Sequence, residues 1–212
     1  MSDLDSERDR MIVEQLEARG ITDRRVLDAM ARVPREAFVG ESDRKRAYLD
    51  MPLRIGYGQT ISQPYMVAII CQTADVREGD RVLDIGTGSG YQAAVLAELG
   101  ADVHTVERIP ELAKQARERL ERAGFGSVHV HVGDGSLGLP EFAPFDAIVV
   151  AAAAPDMPAS LYEQLVPRGR LVVPVGGPEG QRLEVIVASP EGPAVTRSVP
   201  CRFVPLVGAE GF

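Results

Sequence analysis

The 212-residue chain has only two cysteines, Cys71 and Cys201, too few for a disulfide framework. Each sits among apolar residues, so both read as reduced, packed thiols. No CxxC or HxxxH spacing occurs, and no metal is expected. The opening residues, MSDLDSERDR, lack the apolar core of a secretory signal. The longest apolar run, residues 147–154, falls far short of the ~18 residues a spanning helix needs. A cytoplasmic protein is expected. Positive charge is also short. Lys plus Arg is 23 against 31 Asp plus Glu, giving a net charge of −8. Binding nucleic acid by bulk charge needs clustered cations that release counterions, so that class is excluded.

What is present suits a globular chain. Hydrophobic residues are 45% and charged residues 25%, which argues against wholesale disorder. The length fits one domain. Residues 1–33 show apolar groups at three- and four-residue steps and read as two helices separated by Gly20. Thr22 or Asp23 can cap the second helix, and Pro34 stops it. Residues 34–64 read as irregular, yet Phe38, Tyr48, Leu53, Ile55, Tyr57 and Ile61 predict a packed segment that lines a site.

Beyond residue 64 a helix is expected over 65–75, and then strands and helices alternate. Strands are predicted at 81–85, 102–106, 128–132, 146–151 and 170–175. Helices are predicted at 91–99, 110–123 and 159–165. This alternation implies an α/β fold, a mostly parallel sheet covered on both faces. Two further strands are expected at 182–188 and 202–206. The cofactor core then spans 80–175, preceded by 1–79 with the helices and active-site loop, and followed by 176–212.

The strongest chemical signal is the turn after the first core strand, Gly86-Thr87-Gly88-Ser89-Gly90. Glycines let backbone approach a ligand closely, and ligands bind beyond the carboxyl ends of such strands. A dinucleotide fingerprint, GxGxxG, would need glycine where Tyr91 stands. Asp84 lies just before the turn, where it would repel a pyrophosphate and suit a cationic ligand. Glu107 ends the second strand, where a carboxylate can accept from both ribose hydroxyls. Asp134-Gly135 follows the third, where a carboxylate can accept from an adenine amino group. Any one acid alone reads more often as a cap or turn former. Together with the glycine turn they point to a nucleoside-type cofactor, with S-adenosylmethionine ahead of nicotinamide cofactors.

The methyl acceptor is read from what the chain does not offer. His104, His129 and His131 are its only histidines, and all lie within predicted strands, as structural residues rather than bases. The segment after the fourth core strand, Ala151-Ala-Ala-Ala-Pro155, offers no side chain to hold an amino group. Both features favour a nucleophile that is already ionised, such as a carboxylate. The polar run Gln59-Thr60-Ile61-Ser62-Gln63-Pro64 would place Thr60 and Ser62 on one side of an extended segment, able to hold a carboxylate. The competing reading is a turn in which Ser62 caps the helix begun at Pro64.

Across residues 33–206 the sequence resembles the protein-L-isoaspartate (D-aspartate) O-methyltransferases. The resemblance is carried by Val33-Pro-Arg-Glu-Ala-Phe38, Gly56-Tyr-Gly-Gln-Thr-Ile-Ser-Gln-Pro-Tyr-Met66, residues 82–92, Val106-Glu107, Gly133-Asp-Gly-Ser-Leu-Gly138, Phe145-Asp-Ala-Ile148, Gly169-Arg-Leu-Val172 and Phe203-Val-Pro-Leu206. It implies a Rossmann-like methyltransferase fold. The implied reaction is transfer of methyl from S-adenosylmethionine to the free α-carboxyl of L-isoaspartyl residues, which starts repair through a succinimide. It implies Ser62 as the active-site residue, with Thr60, Ile61 and Ser62 at the substrate. It implies cofactor contacts from Gln59, Asp84, Gly86, Thr87, Gly88, Glu107, Asp134 and Gly135. Expected partners are isoaspartyl-containing proteins and peptides, with no nucleic acid or membrane, and a monomer. A methyltransferase for another carboxylate, in a dedicated peptide or protein partner, is the alternative. A nicotinamide oxidoreductase and a non-catalytic binding module are the remaining readings.

Overall fold

A computed structural model describes residues 3–212. Helix α1 (Asp3–Arg10) continues through a wide π-helical turn at Met11–Leu16 and a tight turn at Glu17–Arg19. Gly20 ends it with φ at +89°, a conformation glycine adopts without strain. Of the two expected caps, Asp23 serves α2 (Arg24–Arg32), its side chain accepting from Arg25 N at 2.9 Å. Val33 before Pro34 is extended, as steric pressure from the proline ring requires.

The stretch read as irregular contains a hairpin the sequence did not disclose, β1 (Leu53–Gly56) and β2 (Gln59–Ile61). Tyr57 and Gly58 form its turn at φ values of +52° and +73°. Positive φ at both turn residues matches the strand twist, but tyrosine there is no turn signal. The expectation of packing holds for Phe38, Tyr48, Leu53, Ile55 and Ile61, which are all buried, but not for Tyr57, which the hairpin turn leaves exposed. Helix α3 (Pro64–Ala74) follows and is buried on nearly every side.

The main sheet is built from β3 (Arg81–Ile85), β4 (Asp102–Glu107), β5 (His129–Val132), β6 (Phe145–Val150), β7 (Leu165–Gly177), β8 (Gly180–Ser189) and β9 (Gly192–Cys201). Their order is β5-β4-β3-β6-β7-β8-β9. The strands β5 to β7 in that order are parallel, and β8 and β9 add antiparallel pairs. Helices α4 (Tyr91–Glu98), α5 (Pro110–Arg122) and α6 (Ala159–Tyr162) make the crossovers. Apolar β3 is buried on both faces, as a central parallel strand must be. One face packs Val82, Val103 and Val149 against α3 and α4; the other packs Leu83, Ile148 and Leu171 with Phe145 and Leu161.

The C-terminal part differs from expectation. The strand predicted at 202–206 is absent apart from an isolated bridge between Ala153 and Pro205, and the last strand is β9 instead. Pro193 and Pro200 fall inside β9, which pairs on one side only, and an edge strand tolerates proline. The helix expected at 159–165 shrinks to α6, because Leu165 already pairs with Phe145 and β7 runs through Pro167 and Gly169 past an irregular register. Among the described residues no helix is long and apolar enough to cross a membrane. Cys71 is buried and Cys201 half-buried, and both are free thiols.

Candidate active site

The site lies beyond the carboxyl ends of the parallel strands. After β3 the chain turns through Gly86, Gly88 and Gly90 at φ values of +92°, +52° and +92°. A side chain at these positions would be strained. At Gly90 a Cβ would also press within 3.1 Å of Leu120. The turn is tied to the neighbouring strand: Gly86 N and Thr87 N both donate to the Val106 carbonyl, at 2.9 and 3.2 Å.

Glu107, at the end of β4, is only 6% exposed and lines the cleft beside this turn. Its Oε2 accepts from Gly88 N at 2.9 Å and its Oε1 from Ile109 N at 3.0 Å. A carboxylate offers about four lone-pair sites. Two backbone donors therefore orient the group and leave acceptor capacity free for a diol.

Asp84 has a different part. It is fully buried and does not line the cleft. Its Oδ1 accepts from Gln92 Nε2 at 2.8 Å and its Oδ2 from Thr105 Oγ1 at 2.9 Å. The Thr105 hydroxyl lies 2.7 Å from that of Thr87, which is on the cleft wall. Burial pushes the Asp84 carboxyl up to about 6, against the pull of its two hydrogen bonds. Asp84 thus fastens Gln92 directly, and Thr87 through Thr105, from behind the cleft wall.

Asp134 also stands off the cleft wall, where only Gly135 of the pair appears. Its Oδ1 accepts from Ser136 N and Oγ, at 2.9 and 2.7 Å, and its Oδ2 from Ala209 N at 2.8 Å. Burial alone would raise its carboxyl, but these hydrogen bonds outweigh it and hold the group below the usual range. The cap-and-turn reading of this acid describes its contacts. Gly135 is required by close approach, since a Cβ would sit 2.7 Å from Ile85 Cγ2.

The opposite wall comes from the hairpin. Gln59, Thr60, Ile61 and Ser62 line one cleft together with Gly86, Thr87, Gly88 and Glu107. A second cleft, partly framed by Arg19, Tyr65, Arg202 and Phe203, abuts the first. Thr60, Ser62, Ala151 and Val204 line both. Ser62 is not a helix cap, because Gln63 occupies the cap position of α3 and makes no side-chain bond there.

Several contributors escaped the sequence reading. Arg35 is fully buried; its Nη2 donates to the Ser62 carbonyl and its Nε to the Ala47 carbonyl, each at 2.7 Å. Its guanidinium lies 4.9 Å from the Tyr91 ring centroid, a cation–π contact. Burial lowers its pKa to about 10, so it stays charged near neutral pH. The only cue was an arginine amid the apolar residues after Pro34. The tail, quoted in the sequence only as part of the resemblance, is the other contributor. Residues 204–207 line the first cleft, held by Ala153 N to the Val204 carbonyl at 2.8 Å and Leu206 N to the Ala153 carbonyl at 2.7 Å.

The comparisons agree with this geometry. A family model described as protein-L-isoaspartate(D-aspartate) O-methyltransferase matches residues 7–211. Protein-L-isoaspartate O-methyltransferase 2 of Marinobacter nauticus is 55% identical over 212 residues, covering 99% of this chain and 97% of its own. The Anaeromyxobacter protein of the same name is 55% identical over 204 residues, covering 95% of this chain and 84% of its own. A Plasmodium falciparum protein, assigned as a protein-L-isoaspartate O-methyltransferase and crystallised with S-adenosyl-L-homocysteine, superposes with a TM-score of 0.83. It is 26% identical, and the match covers 98% of this chain and 99% of that one. A glycine turn, a strand-end glutamate and a hydroxyl-bearing hairpin around one cleft, matched almost end to end, place this chain in the protein-L-isoaspartate(D-aspartate) O-methyltransferase family.

Proposed function

We propose that the chain transfers a methyl group from S-adenosylmethionine to the free α-carboxylate of L-isoaspartyl residues in damaged proteins, with Ser62 positioning that carboxylate. The observation that carries this reading is that Thr60 and Ser62 line both clefts. One cleft suits the cofactor and the other is open to a peptide. Ser62 stands where they meet.

The residues of the first cleft fit the cofactor. Glu107 keeps acceptor capacity for the ribose hydroxyls after binding two backbone N–H groups. Gln59, Gly86, Thr87, Gly88 and Gly135 complete the contacts, while Asp84 and Asp134 act through Gln92, Thr87 and the tail. When bound, S-adenosylmethionine supplies an electrophilic methyl on a sulfonium.

The chain then has to align the acceptor and exclude water. The Ser62 and Thr60 hydroxyls donate to the substrate carboxylate, and Ile61 holds the strand between them in the core. The Ser62 backbone cannot drift, because Arg35 grips its carbonyl. No general base is needed, since a carboxylate is ionised near neutral pH. The histidines are elsewhere: none lines either cleft. Arg35 behind Ser62, Arg108 in the first cleft and Arg202 in the second offset the chain's net charge of −8 where an anion must enter, whereas Arg19 is already paired with Asp50 at 2.7 Å. The following backbone nitrogen of the substrate then attacks the carbonyl of the methyl ester formed, losing its proton and expelling methanol, which gives the succinimide. We read the whole chain as one methyltransferase domain acting as a cytoplasmic monomer.

Steady-state kinetics of Ser62→Ala on an isoaspartyl peptide test the role of Ser62. Turnover should fall by more than tenfold while affinity for S-adenosylhomocysteine changes by less than threefold, because the residue serves alignment. Unchanged turnover would remove Ser62 from the mechanism.

A further inference from the structure

All three histidines of the chain meet at one place, away from both clefts. Asp102 and His104 alternate on β4 and so share a face of the sheet. His129 on the edge strand β5 is the register partner of His104. One ligand atom from each of Asp102, His104 and His129 can be chosen so that all three lie within 4.8 Å of one another. His129 Nε2 and Asp102 Oδ1 are 3.6 Å apart. Two ligands about 2.1 Å from one ion, at a tetrahedral angle, stand about 3.4 Å apart.

We propose that Asp102, His104 and His129 form a site for one divalent transition metal ion, with zinc as the natural fit. Two imidazoles and one carboxylate suit a borderline ion, not magnesium or calcium, which take oxygen ligands. His131 supports the site: its Nε2 lies 3.1 Å from His104 Nδ1, and the two rings are 9° from parallel. Phe142 packs on both rings from the other side. A partner on the ring's other edge is the usual way a ligating histidine is oriented. The second carboxylate oxygen of Asp102 faces Arg81 Nε at 3.6 Å, which leaves Oδ1 for the ion. The His129 and Asp102 side chains are 56% and 45% exposed, so the ion can enter from solvent and keep a water ligand.

The place in the fold says what the site does. His104 stands three residues before Glu107 on β4, about 10 Å away at 3.3 Å per residue, and on the opposite face. The ion would clip the short edge strand β5 to β4 without touching the methyl-transfer machinery. Sequence spacing hid it, because its ligands come from two strands that pair only in the folded chain.

Isothermal titration of the full, untagged chain with zinc chloride tests the site, with magnesium chloride as a second arm. One zinc equivalent should bind and magnesium should give no saturable heat. His129→Ala and Asp102→Asn, both at exposed side chains, should each weaken zinc by more than tenfold, and His131→Ala by about tenfold. Cys201→Ser should bind zinc as the natural chain does. Zinc should also raise the melting temperature of the natural chain and leave that of His129→Ala unmoved. Absence of saturable zinc binding overturns the proposal. So does stoichiometric binding that survives both His129→Ala and Asp102→Asn, since the ion would then sit elsewhere.

Discussion

Replacing Glu107 by glutamine separates its two jobs. The side chain keeps its size, but one acceptor oxygen becomes an NH₂ donor. Gly88 N and Ile109 N each donate to a different carboxylate oxygen, at 2.9 and 3.0 Å, so one of them now faces a donor. At 6% exposure water cannot easily repair this, and the unpaired N–H costs about 1–3 kcal/mol of stability. The ribose hydroxyls lose a charged acceptor, a hydrogen bond of about 1.5–3 kcal/mol. That corresponds to a roughly 10- to 150-fold weaker dissociation constant. The assay is titration calorimetry with S-adenosylhomocysteine, paired with thermal melts of the ligand-free proteins. The melts report the backbone loss, and the affinity reports the ribose loss. An affinity within twofold of the natural chain, with the melt lowered, would refute the ribose assignment while leaving Glu107 a structural residue.

Other outcomes follow from the same geometry. Asp84 has its native pKa pushed up to about 6 from 3.8, so the native state holds its proton more tightly than the unfolded chain. That stabilisation is complete below pH 4 and is lost as pH rises through 6, about 3 kcal/mol in all. Asp84→Asn should remove this contribution to the pH slope of denaturant midpoints, and an unchanged slope would contradict it. Gly135→Ala should lower stability by about 1–3 kcal/mol, because the new methyl meets Ile85 at 2.7 Å, and urea titration reads this directly. Asp134→Ala frees Ala209 N, so amide exchange in residues 207–211 should quicken while α4 stays protected. Arg35→Lys keeps a charge but cannot reach the Ala47 and Ser62 carbonyls as a fork. Its turnover should fall with little change in cofactor affinity.

The parallel core was legible because local signals agreed. Apolar runs such as residues 147–150, glycines at the turn and Pro110 at a helix start all point to the same element order. The ends were harder. β1 and β2 are three or four residues long and turn at a tyrosine, so no pattern could build up. β9 was hidden by prolines that an edge strand tolerates. Among the acids, position after a strand did not distinguish a ligand contact from a bracket. Glu107 faces the cleft, whereas Asp84 and Asp134 use their oxygens on Gln92, Thr105, Ser136 and Ala209. Ser62 stood out through its neighbours rather than its spacing, and Arg35, which fixes it, lies 27 residues away.

The central claim is that Ser62 and the two clefts select an isoaspartyl carboxylate. Transfer of labelled methyl from S-adenosylmethionine to a pair of peptides, identical except for one L-isoaspartyl or normal L-aspartyl linkage, tests it most directly. The account predicts stoichiometric labelling of the isoaspartyl peptide, loss of label as the ester closes to succinimide, and little labelling of its twin. Equal labelling of both peptides would contradict it.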